Sequence, residues 1–363
     1  MALKAGALKG GALKAGTPAT GSRRDVIFDD KTVGRRTALG LIAGAAAAGF
    51  APIRSARANP ALPVMPAALI MATGEPGSGF ARFGPAWGMI AQKHDPVTVS
   101  YRASGGSAAN ILLAEQNAAQ LGMTTLAVAT QAWNGRANWT GDVPLRGFRA
   151  LFPIFETTLQ IFAPVSSRIA RLADLAGARI GIGPAGGTGA VLVPSLLAAA
   201  GAPPHLAIAG LFTEQADLLR KKQLDACAFF GITPLPAIAA IARQGGFTMI
   251  GFTRAEQAAM QRFMPGLVPA VIPVSSLPHQ SAPVATIGSG AIAICRADLP
   301  GPLAGRLTDA ALAHRTVLRR AVPGTALFRG SWVEGDVPVA IHPGAVDALR
   351  RHGLATPARL IQS

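Results

Sequence analysis

Residues 179–189 read RIGIGPAGGTG, which is a short apolar strand followed by a glycine-rich loop that opens a helix. The same succession occurs twice earlier, as AALIMATGEPGSG at residues 67–79 and as VTVSYRASGGS at residues 97–107. Strands that alternate with helices in this way are typical of α/β proteins with mostly parallel sheets. Ligands of such proteins bind at the carboxyl ends of the strands, which is where these three loops lie.

The strand-and-helix pattern restarts near residue 172, which predicts two lobes. Residues 121–129 are predicted as a strand, and the long apolar segments at 148–155, 159–164 and 284–295 are candidates for strands that cross between the lobes. We therefore expect an α/β fold with a ligand cleft between two lobes that the crossing strands join. The predicted boundaries are residues 66–160 for the first part of lobe 1, 161–283 for lobe 2, and 284–363 for the return to lobe 1 and the C-terminal helices.

The composition of the loops suits the binding of a small anion. Glycine lets the backbone approach a ligand closely and tolerates positive φ. Free N–H groups at the start of a helix attract anions, helped by the helix dipole. Hydroxyl donors would come from Ser78, Ser104, Ser107 and Thr188. One such loop is more often an ordinary strand-to-helix turn, but three in one chain favour a cradle for a carboxylate or a similar group.

Composition and charge exclude several classes of protein. The chain has 363 residues, of which 50% are hydrophobic, so it has ample material for a folded core. Cys227 and Cys295 are too few for a disulfide scaffold or a structural zinc site, and we expect both to be buried free thiols. The formal net charge is +16, but the basic residues are scattered and lack interleaved aromatic residues. We therefore expect no nucleic-acid partner.

Residues 1–58 are predicted to be a cleaved export signal. Arg35 and Arg36 precede a mildly apolar stretch at residues 39–53, and the sequence ARA follows at residues 56–58. A basic region, a short apolar region and a small-x-small site are the parts of a secretory signal, and the paired arginines resemble a twin-arginine (Tat) signal. We expect cleavage after residue 58 and a mature protein in the periplasm. Export by the Tat or the Sec route is left open.

Motifs for other chemistry are absent from the sequence or incomplete. Residues 181–186 read GIGPAG and match the G-x-G-x-x-G pattern of dinucleotide-binding loops, yet the next acidic residue, Glu214, is too distant to hold a ribose. The sequence contains no G-x-S-x-G, Walker A or H-E-x-x-H motif, and its six histidines are dispersed. We therefore expect no cofactor, no metal site and no enzymatic activity.

A set of short segments carries a family resemblance that runs from about residue 66 to residue 353. These segments are residues 73–80, 105–112, 133–135, 148–151, 172–189, 223–226, 231–236, 296–300 and 341–345. In this order they resemble the TAXI-type solute-binding proteins of tripartite ATP-independent periplasmic (TRAP) transporters.

The resemblance implies a type II-like periplasmic-binding-protein fold whose two lobes close on a small organic anion, either an amino-acid-like carboxylate or a dicarboxylate. It also implies a protein that does no chemistry and delivers its ligand to the membrane subunits of a TRAP permease. We expect this receptor to be a monomer. The ligand-binding residues that the resemblance implies are Thr73, Ser78, Phe80, Gly106, Ser107, Thr124, Thr125, Gly187 and Thr188, with Phe230 and Thr233 on the far wall.

The first loop departs from the usual pattern of that family, because it contains Glu75 and Pro76 and is followed by Phe80 where tyrosine is usual. Glu75 is also a predicted ligand-binding residue, whose carboxylate would either contact an ammonium group of the ligand or point to solvent. Two alternatives to transport stay open. One is a sensor that presents its ligand state to a membrane-bound signalling protein, and the other, with weaker support, is an enzyme on the same scaffold.

Overall fold

The computed structural model describes residues 65–323 and 337–361, so the predicted export signal at residues 1–58 lies outside the described residues. The strands in this part of the chain are β1 (Ala68–Ala72), β2 (Thr98–Arg102), β3 (Leu121–Thr125), β4 (Phe148–Pro164), β5 (Arg179–Gly181), β6 (Leu206–Ile208), β7 (Ala226–Gly231), β8 (Phe247–Met249), β9 (Val268–Ile272) and β10 (Val284–Arg296). The α-helices are α1 (Gly79–His94), α2 (Ser107–Glu115), α3 (Leu126–Asn134), α4 (Thr188–Ala199), α5 (Phe212–Arg220), α6 (Pro236–Gln244), α7 (Arg254–Phe263), α8 (Gly301–Ala313), α9 (Arg315–Ala321) and α10 (Val346–Arg351). None of the described helices combines the length and the hydropathy that a membrane span needs.

These strands form one mixed sheet, whose main order is β2-β1-β3-β10-β4-β7-β5-β6. Strands β2, β1 and β3 are parallel, and with α1–α3 we call them the first half. Strands β7, β5 and β6 are also parallel, and with α4–α6 we call them the second half. Between the halves lie β10 and β4, which are antiparallel to each other and to β3 and β7. The predicted α/β class is confirmed, but these two strands make the sheet mixed rather than mostly parallel.

The two central strands join the halves, as predicted. Strand β4 pairs with β10 along residues 148–158 and with β7 along residues 158–162. Strand β10 pairs with β9 along residues 284–288 and with β3 along residues 291–295. Strand β4 therefore contacts β7 of the second half near its C-terminal end, and β10 contacts β3 of the first half near its C-terminal end. The pairing of β4 with β10 connects the two halves. The division into lobes at the predicted boundaries stays a prediction.

The segment from Phe148 to Pro164 is one continuous strand, so the prediction of two separate strands is wrong. The polar residues Thr157 and Thr158 lie between the two predicted strands. However, the hydroxyl of Thr157 donates to the carbonyl of Ser289 at 2.9 Å, and the hydroxyls of Thr158 and Thr233 lie 2.6 Å apart. Because these polar groups find partners, they remain within the strand without interrupting it.

Strand β3 ends at Thr125 and α3 begins at Leu126, so the predicted strand over residues 121–129 is wrong in its second part. The pattern of an apolar run of this length does not show whether the run forms a buried strand or a buried helix. The amide of Ala127 donates to Ser289 Oγ at 3.1 Å, which satisfies one of the free N–H groups of the first helical turn. Thr125, the last residue of β3, lies beside Ser107 and Thr188, which follow two of the glycine-rich loops.

Aromatic packing fixes the first helix against the crossing strands. The ring of Phe155 on β4 lies 5.7 Å from that of Phe80 and 5.9 Å from that of Phe83 on α1, measured between centroids. These rings belong to a main core, and a smaller core surrounds Phe229 on β7. Burial of one such side chain contributes about 1.5–3 kcal/mol. The start of α1, and the loop before it, is therefore held firmly against the central sheet.

Cys227 on β7 and Cys295 on β10 are free and fully buried, as predicted. Burial raises the pKa of both thiols, because a thiolate at either position would lose its hydration. Both side chains therefore contribute to packing, and neither has the low pKa of a reactive cysteine.

Candidate functional site

The three glycine-rich loops meet at one place between the first half and the second half. Together with Phe212 and Phe230 they enclose a cavity of about 40 Å³, which we call the inner cavity. A water molecule needs roughly 10–15 Å³ on the same measure, so only a few would fit. The structure is therefore a closed arrangement in which the loops contact one another directly.

Asn110 positions the loops of the first half. Its Nδ2 donates hydrogen bonds to the carbonyls of Thr73 and Met123, both at 2.7 Å, and its Oδ1 accepts one from Ser104 Oγ at 2.6 Å. The side chain is fully buried. It therefore ties together the carboxyl ends of β1 and β3 and the loop after β2. This role of Asn110 was not predicted from the sequence, although a polar residue on the apolar face of a predicted helix is a usable signal.

A cluster of three hydroxyl groups links the two halves. Thr188 Oγ1, at the start of α4, lies 2.8 Å from Ser107 Oγ and 3.3 Å from Thr125 Oγ1. Ser107 Oγ also accepts a hydrogen bond from the amide of Thr125 at 3.1 Å. All three side chains are buried. Since hydroxyl groups both donate and accept, this cluster is able to bind a ligand oxygen or to satisfy itself.

Backbone groups also bond directly between the halves. The amides of Ala108 and Ala109, in the first turn of α2, donate to the carbonyl of Gly186 at 2.9 and 3.1 Å. A Cβ atom at Gly105 would lie only 1.7 Å from the carbonyl oxygen of Ala185, so glycine is required there for this close approach. The free amides at the start of α2, which the sequence predicts to hold an anion, are thus occupied by a carbonyl of the protein itself.

Glu75 reaches from the first loop to the start of α5 in the second half. Its Oε1 accepts a hydrogen bond from the amide of Phe212 at 2.8 Å, and its Oε2 is buried without a partner among the described residues. Burial raises the pKa of Glu75, the hydrogen bond from Phe212 opposes that shift, and the nearby charge of Glu214 adds to it. Glu75 is buried, so the alternative that its carboxylate points to solvent is wrong.

A more open cavity of about 420 Å³, which we call the outer cavity, shares Glu75, Gly105 and Pro184 with the inner cavity. Glu214, in the first turn of α5, lies on its wall. In the described part of the chain, no lysine or arginine lines either cavity. A charged group of a ligand in these cavities would therefore contact backbone amides, hydroxyl groups and two acidic side chains.

Most of the predicted ligand-binding residues lie on the wall of the inner cavity. They are Glu75, Ser78, Phe80, Gly106, Ser107, Gly187, Thr188 and Phe230. Ser78 also has a structural role, since its Oγ accepts a hydrogen bond from the amide of Ala81 at 3.2 Å and caps α1.

Four predicted residues lie outside that wall. Thr125 reaches it indirectly through the hydroxyl cluster. Thr73 Oγ1 donates to the carbonyl of Arg102, Thr124 Oγ1 lies 3.4 Å from the carbonyl of Thr125, and Thr233 bonds the hydroxyl of Thr158. These bonds engage the hydroxyl groups within the fold, and their roles as ligand contacts stay predictions.

The sequence profile of the NMT1-like family matches residues 71–353. The chain belongs to the NMT1-like family. The match covers nearly the same residues as the resemblance to TAXI-type solute-binding proteins, and that finer assignment stays a prediction. Membership agrees with the predicted periplasmic-binding-protein-like fold, in which two parallel groups of strands are joined by two crossing strands. Within its described residues, this chain has no group of three or more His, Cys, Asp or Glu that could bind a metal ion.

Solved structures resemble this family member at low sequence identity. The alkanesulfonate-binding protein SsuA from Xanthomonas axonopodis pv. citri, bound to MOPS, matches with 13% identity and a TM-score of 0.47, over 82% of this chain and 97% of that one. A periplasmic transporter matches with 13% identity and a TM-score of 0.49, over 79% and 94%. A histidine kinase sensor domain with similarity to periplasmic binding proteins matches with 12% identity and a TM-score of 0.45, over 72% and 98%. No curated protein matches the chain.

Proposed function

We propose that this protein is a periplasmic solute-binding receptor that captures a small organic anion by closure of two lobes and delivers it to a TRAP-type membrane permease. The ligand is an amino-acid-like carboxylate or a dicarboxylate. The observation that carries the proposal is the meeting of three loop-to-helix junctions, two from the first half and one from the second, at a single cavity. Membership of the NMT1-like family and the crossing strands support it.

The start of α4 is the best-suited place for the ligand carboxylate. This helix has 12 residues, its N-cap is Gly187, and no side chain caps its first amides. The hydroxyl of Thr188 stands beside those amides, and Ser107 faces it from the first half. Amides and hydroxyls at a helix start hold a carboxylate without a side-chain cation.

Binding requires the closed contacts to be exchanged for contacts with the ligand. The inner cavity of about 40 Å³ is too small for an amino acid, so the bonds from Ala108 and Ala109 to Gly186 must break as the ligand enters. Each such bond contributes only about 0.5–1.5 kcal/mol net. A ligand that replaces them with charge-assisted hydrogen bonds would therefore favour a closed complex around itself.

The delivery step and the location rest on the TAXI resemblance and on the predicted export signal at residues 1–58. A receptor of this kind carries its ligand in the periplasm and releases it at the membrane. Co-purification with the TRAP permease subunits, tested with and without ligand, separates this role from binding alone. Failure of the permease to bind the receptor would contradict delivery and leave solute binding standing.

A calorimetric and thermal-shift screen tests binding itself. The purified protein is titrated with amino acids, monocarboxylates and dicarboxylates, and we expect at least one compound to bind and to raise the melting temperature, because a ligand that binds only the folded state stabilises it. No binding and no stabilisation by any of these compounds would contradict the proposed function.

A further inference from the structure

The charged groups on the cavity walls have the opposite sign to the chain as a whole. The chain contains 34 Lys or Arg against 18 Asp or Glu, which gives a formal net charge of +16. Among the described residues, however, the charged side chains that line the inner and outer cavities are Glu75 and Glu214. A ligand with carboxylate groups alone would meet two negative charges and no side-chain cation, and such like-charge contacts reduce affinity.

Glu75 has a carboxylate oxygen for which the described fold supplies no donor. Its Oε1 accepts the hydrogen bond from Phe212, whereas its Oε2 is buried without a partner in the described residues, and Glu75 as a whole is only 6% exposed. An unsatisfied buried polar atom destabilises the fold, and more so when the group is charged. Such atoms are rare in native proteins and point to a missing partner.

Stabilisation of α5 does not explain why the carboxylate of Glu75 lies near the start of that helix. Glu214 in the first turn of α5 already places a negative charge near its N-terminus, and its Oε2 accepts a hydrogen bond from the amide of Leu211 at 3.3 Å. The charge of Glu214 moreover disfavours an ionised Glu75 beside it. Glu75 lies in the loop after β1, in the first half. We therefore attribute its position to the cavities that it lines and not to stabilisation of α5.

We infer that the ligand carries a cationic nitrogen, an ammonium group or its equivalent, that donates a hydrogen bond to Glu75. This inference rests on the proposed function and narrows its ligand class to zwitterions of the amino-acid kind. The ammonium group meets Glu75, and the carboxylate meets the amides at the start of α4 and the hydroxyl of Thr188. A dicarboxylate is disfavoured, because its second carboxylate would face Glu75 without a cation between them.

Matched ligand pairs test this inference in the unmodified protein. Calorimetric titrations compare L-alanine with propionate, L-glutamate with glutarate, and L-leucine with isocaproate, where each pair differs by the ammonium group alone. We expect the pair whose side chain fits to show at least a tenfold preference for the amino acid. Equal or tighter binding of the deaminated acids would overturn the inference while leaving solute binding intact. Binding of no compound, in this panel or in the wider screen, would instead overturn the proposed function.

The Glu75→Gln variant tests which residue causes the preference. Glutamine keeps an oxygen that accepts the hydrogen bond from Phe212 and removes the negative charge, so we expect the preference for the amino acid to fall at least tenfold. Glu115→Gln is the matched control, since Glu115 accepts a hydrogen bond from the amide of Gly147 at 2.6 Å and lines neither cavity. An unchanged preference in Glu75→Gln, or an equal loss in Glu115→Gln, would overturn the assignment.

Discussion

Thr188 illustrates how a single side chain joins the two halves at the site. Its Oγ1 lies within hydrogen-bond distance of Ser107 and Thr125, both in the first half. When no ligand is present, these three hydroxyls satisfy one another, whereas Glu75 Oε2 stays without a partner among the described residues. Each bond contributes only about 0.5–1.5 kcal/mol net, which makes the cluster easy to exchange for a ligand oxygen.

The Thr188→Val substitution removes this hydroxyl with little change in volume. We expect the affinity for the ligand found by titration to fall roughly tenfold, the equivalent of one hydrogen bond of about 1.4 kcal/mol. Thr130→Val is the matched control, because Thr130 Oγ1 is buried without a partner among the described residues. That control should leave affinity unchanged and raise the melting temperature by about 1–3 °C. Calorimetry that finds equal affinities for both variants would contradict the role of Thr188.

His342 is a buried histidine whose two ring nitrogens both have partners. Nε2 lies 2.9 Å from the carbonyl of Leu299, and Nδ1 accepts a hydrogen bond from the amide of Gly344 at 3.1 Å, so the ring is neutral with its proton on Nε2. Burial lowers the pKa of His342, because the charged form would lose its hydration. The unfolded chain therefore binds a proton here at a higher pH than the folded chain does.

The stability of the protein should accordingly fall as the pH drops below about 6.5, the unperturbed pKa of histidine. In His342→Asn, the amide oxygen keeps an acceptor for Gly344, but the carbonyl of Leu299 loses its donor, and we expect a loss of about 1–3 kcal/mol at pH 7. The difference between the two proteins should shrink as the pH is lowered from 7 to 5, which denaturant unfolding at each pH measures. A difference that stays constant over this range would show that His342 is not the acid-sensitive group.

The contact between the loop after β2 and the loop after β5 depends on glycine. Gly105 does not have positive φ, so its backbone would accept alanine, and only the carbonyl of Ala185 excludes a Cβ atom there. Gly106 differs, since its φ of 120° is strained for any other residue. A substitution at position 105 therefore tests the contact between the two loops without straining the backbone of either half.

We expect Gly105→Ala to separate the two loops while each half stays folded. The amides of Ala108 and Ala109 would then lose Gly186 as an acceptor and exchange with solvent at least tenfold faster. Gly251→Ala is the control, because Gly251 also lacks positive φ and its Cβ would meet nothing closer than 3.4 Å. Hydrogen exchange followed by mass spectrometry measures the difference, and unchanged exchange in Gly105→Ala would contradict the closed contact.

At the scale of elements, the sequence predicted the strands and helices that a short-range pattern specifies. Strand β10 and the three strand-loop-helix junctions follow from alternation and from glycine clusters. The boundary between β3 and α3 did not follow, because it depends on a bond from Ala127 to Ser289, which is distant in sequence. The same limit applies to the site, although the glycine-rich loops were predictable. The contact of Glu75 with Phe212 exists only once the two halves are folded together, and the role of Asn110 depends on bonds to Thr73 and Met123 that form only when the first half folds.

At the scale of the whole molecule, two crossing strands hold two parallel groups of strands so that their loops face one another. In the closed arrangement the amides of Ala108 and Ala109 bond to Gly186 and the three hydroxyls bond to one another, while one carboxylate oxygen of Glu75 has no donor among the described residues. A ligand that donates a hydrogen bond to this oxygen and replaces the bonds to Gly186 would favour closure of the halves around itself, because differential affinity for one conformation shifts a conformational equilibrium. Under the proposed function, ligand capture and closure are thus two aspects of one equilibrium.

A crystal structure of the protein with the compound that binds most tightly in the titrations tests this account most directly. We predict that the compound lies between the three glycine-rich loops, with a nitrogen on Glu75 and an oxygen on Thr188, and that the bonds from Ala108 and Ala109 to Gly186 are broken. A compound bound elsewhere, with those bonds still intact, would contradict the account.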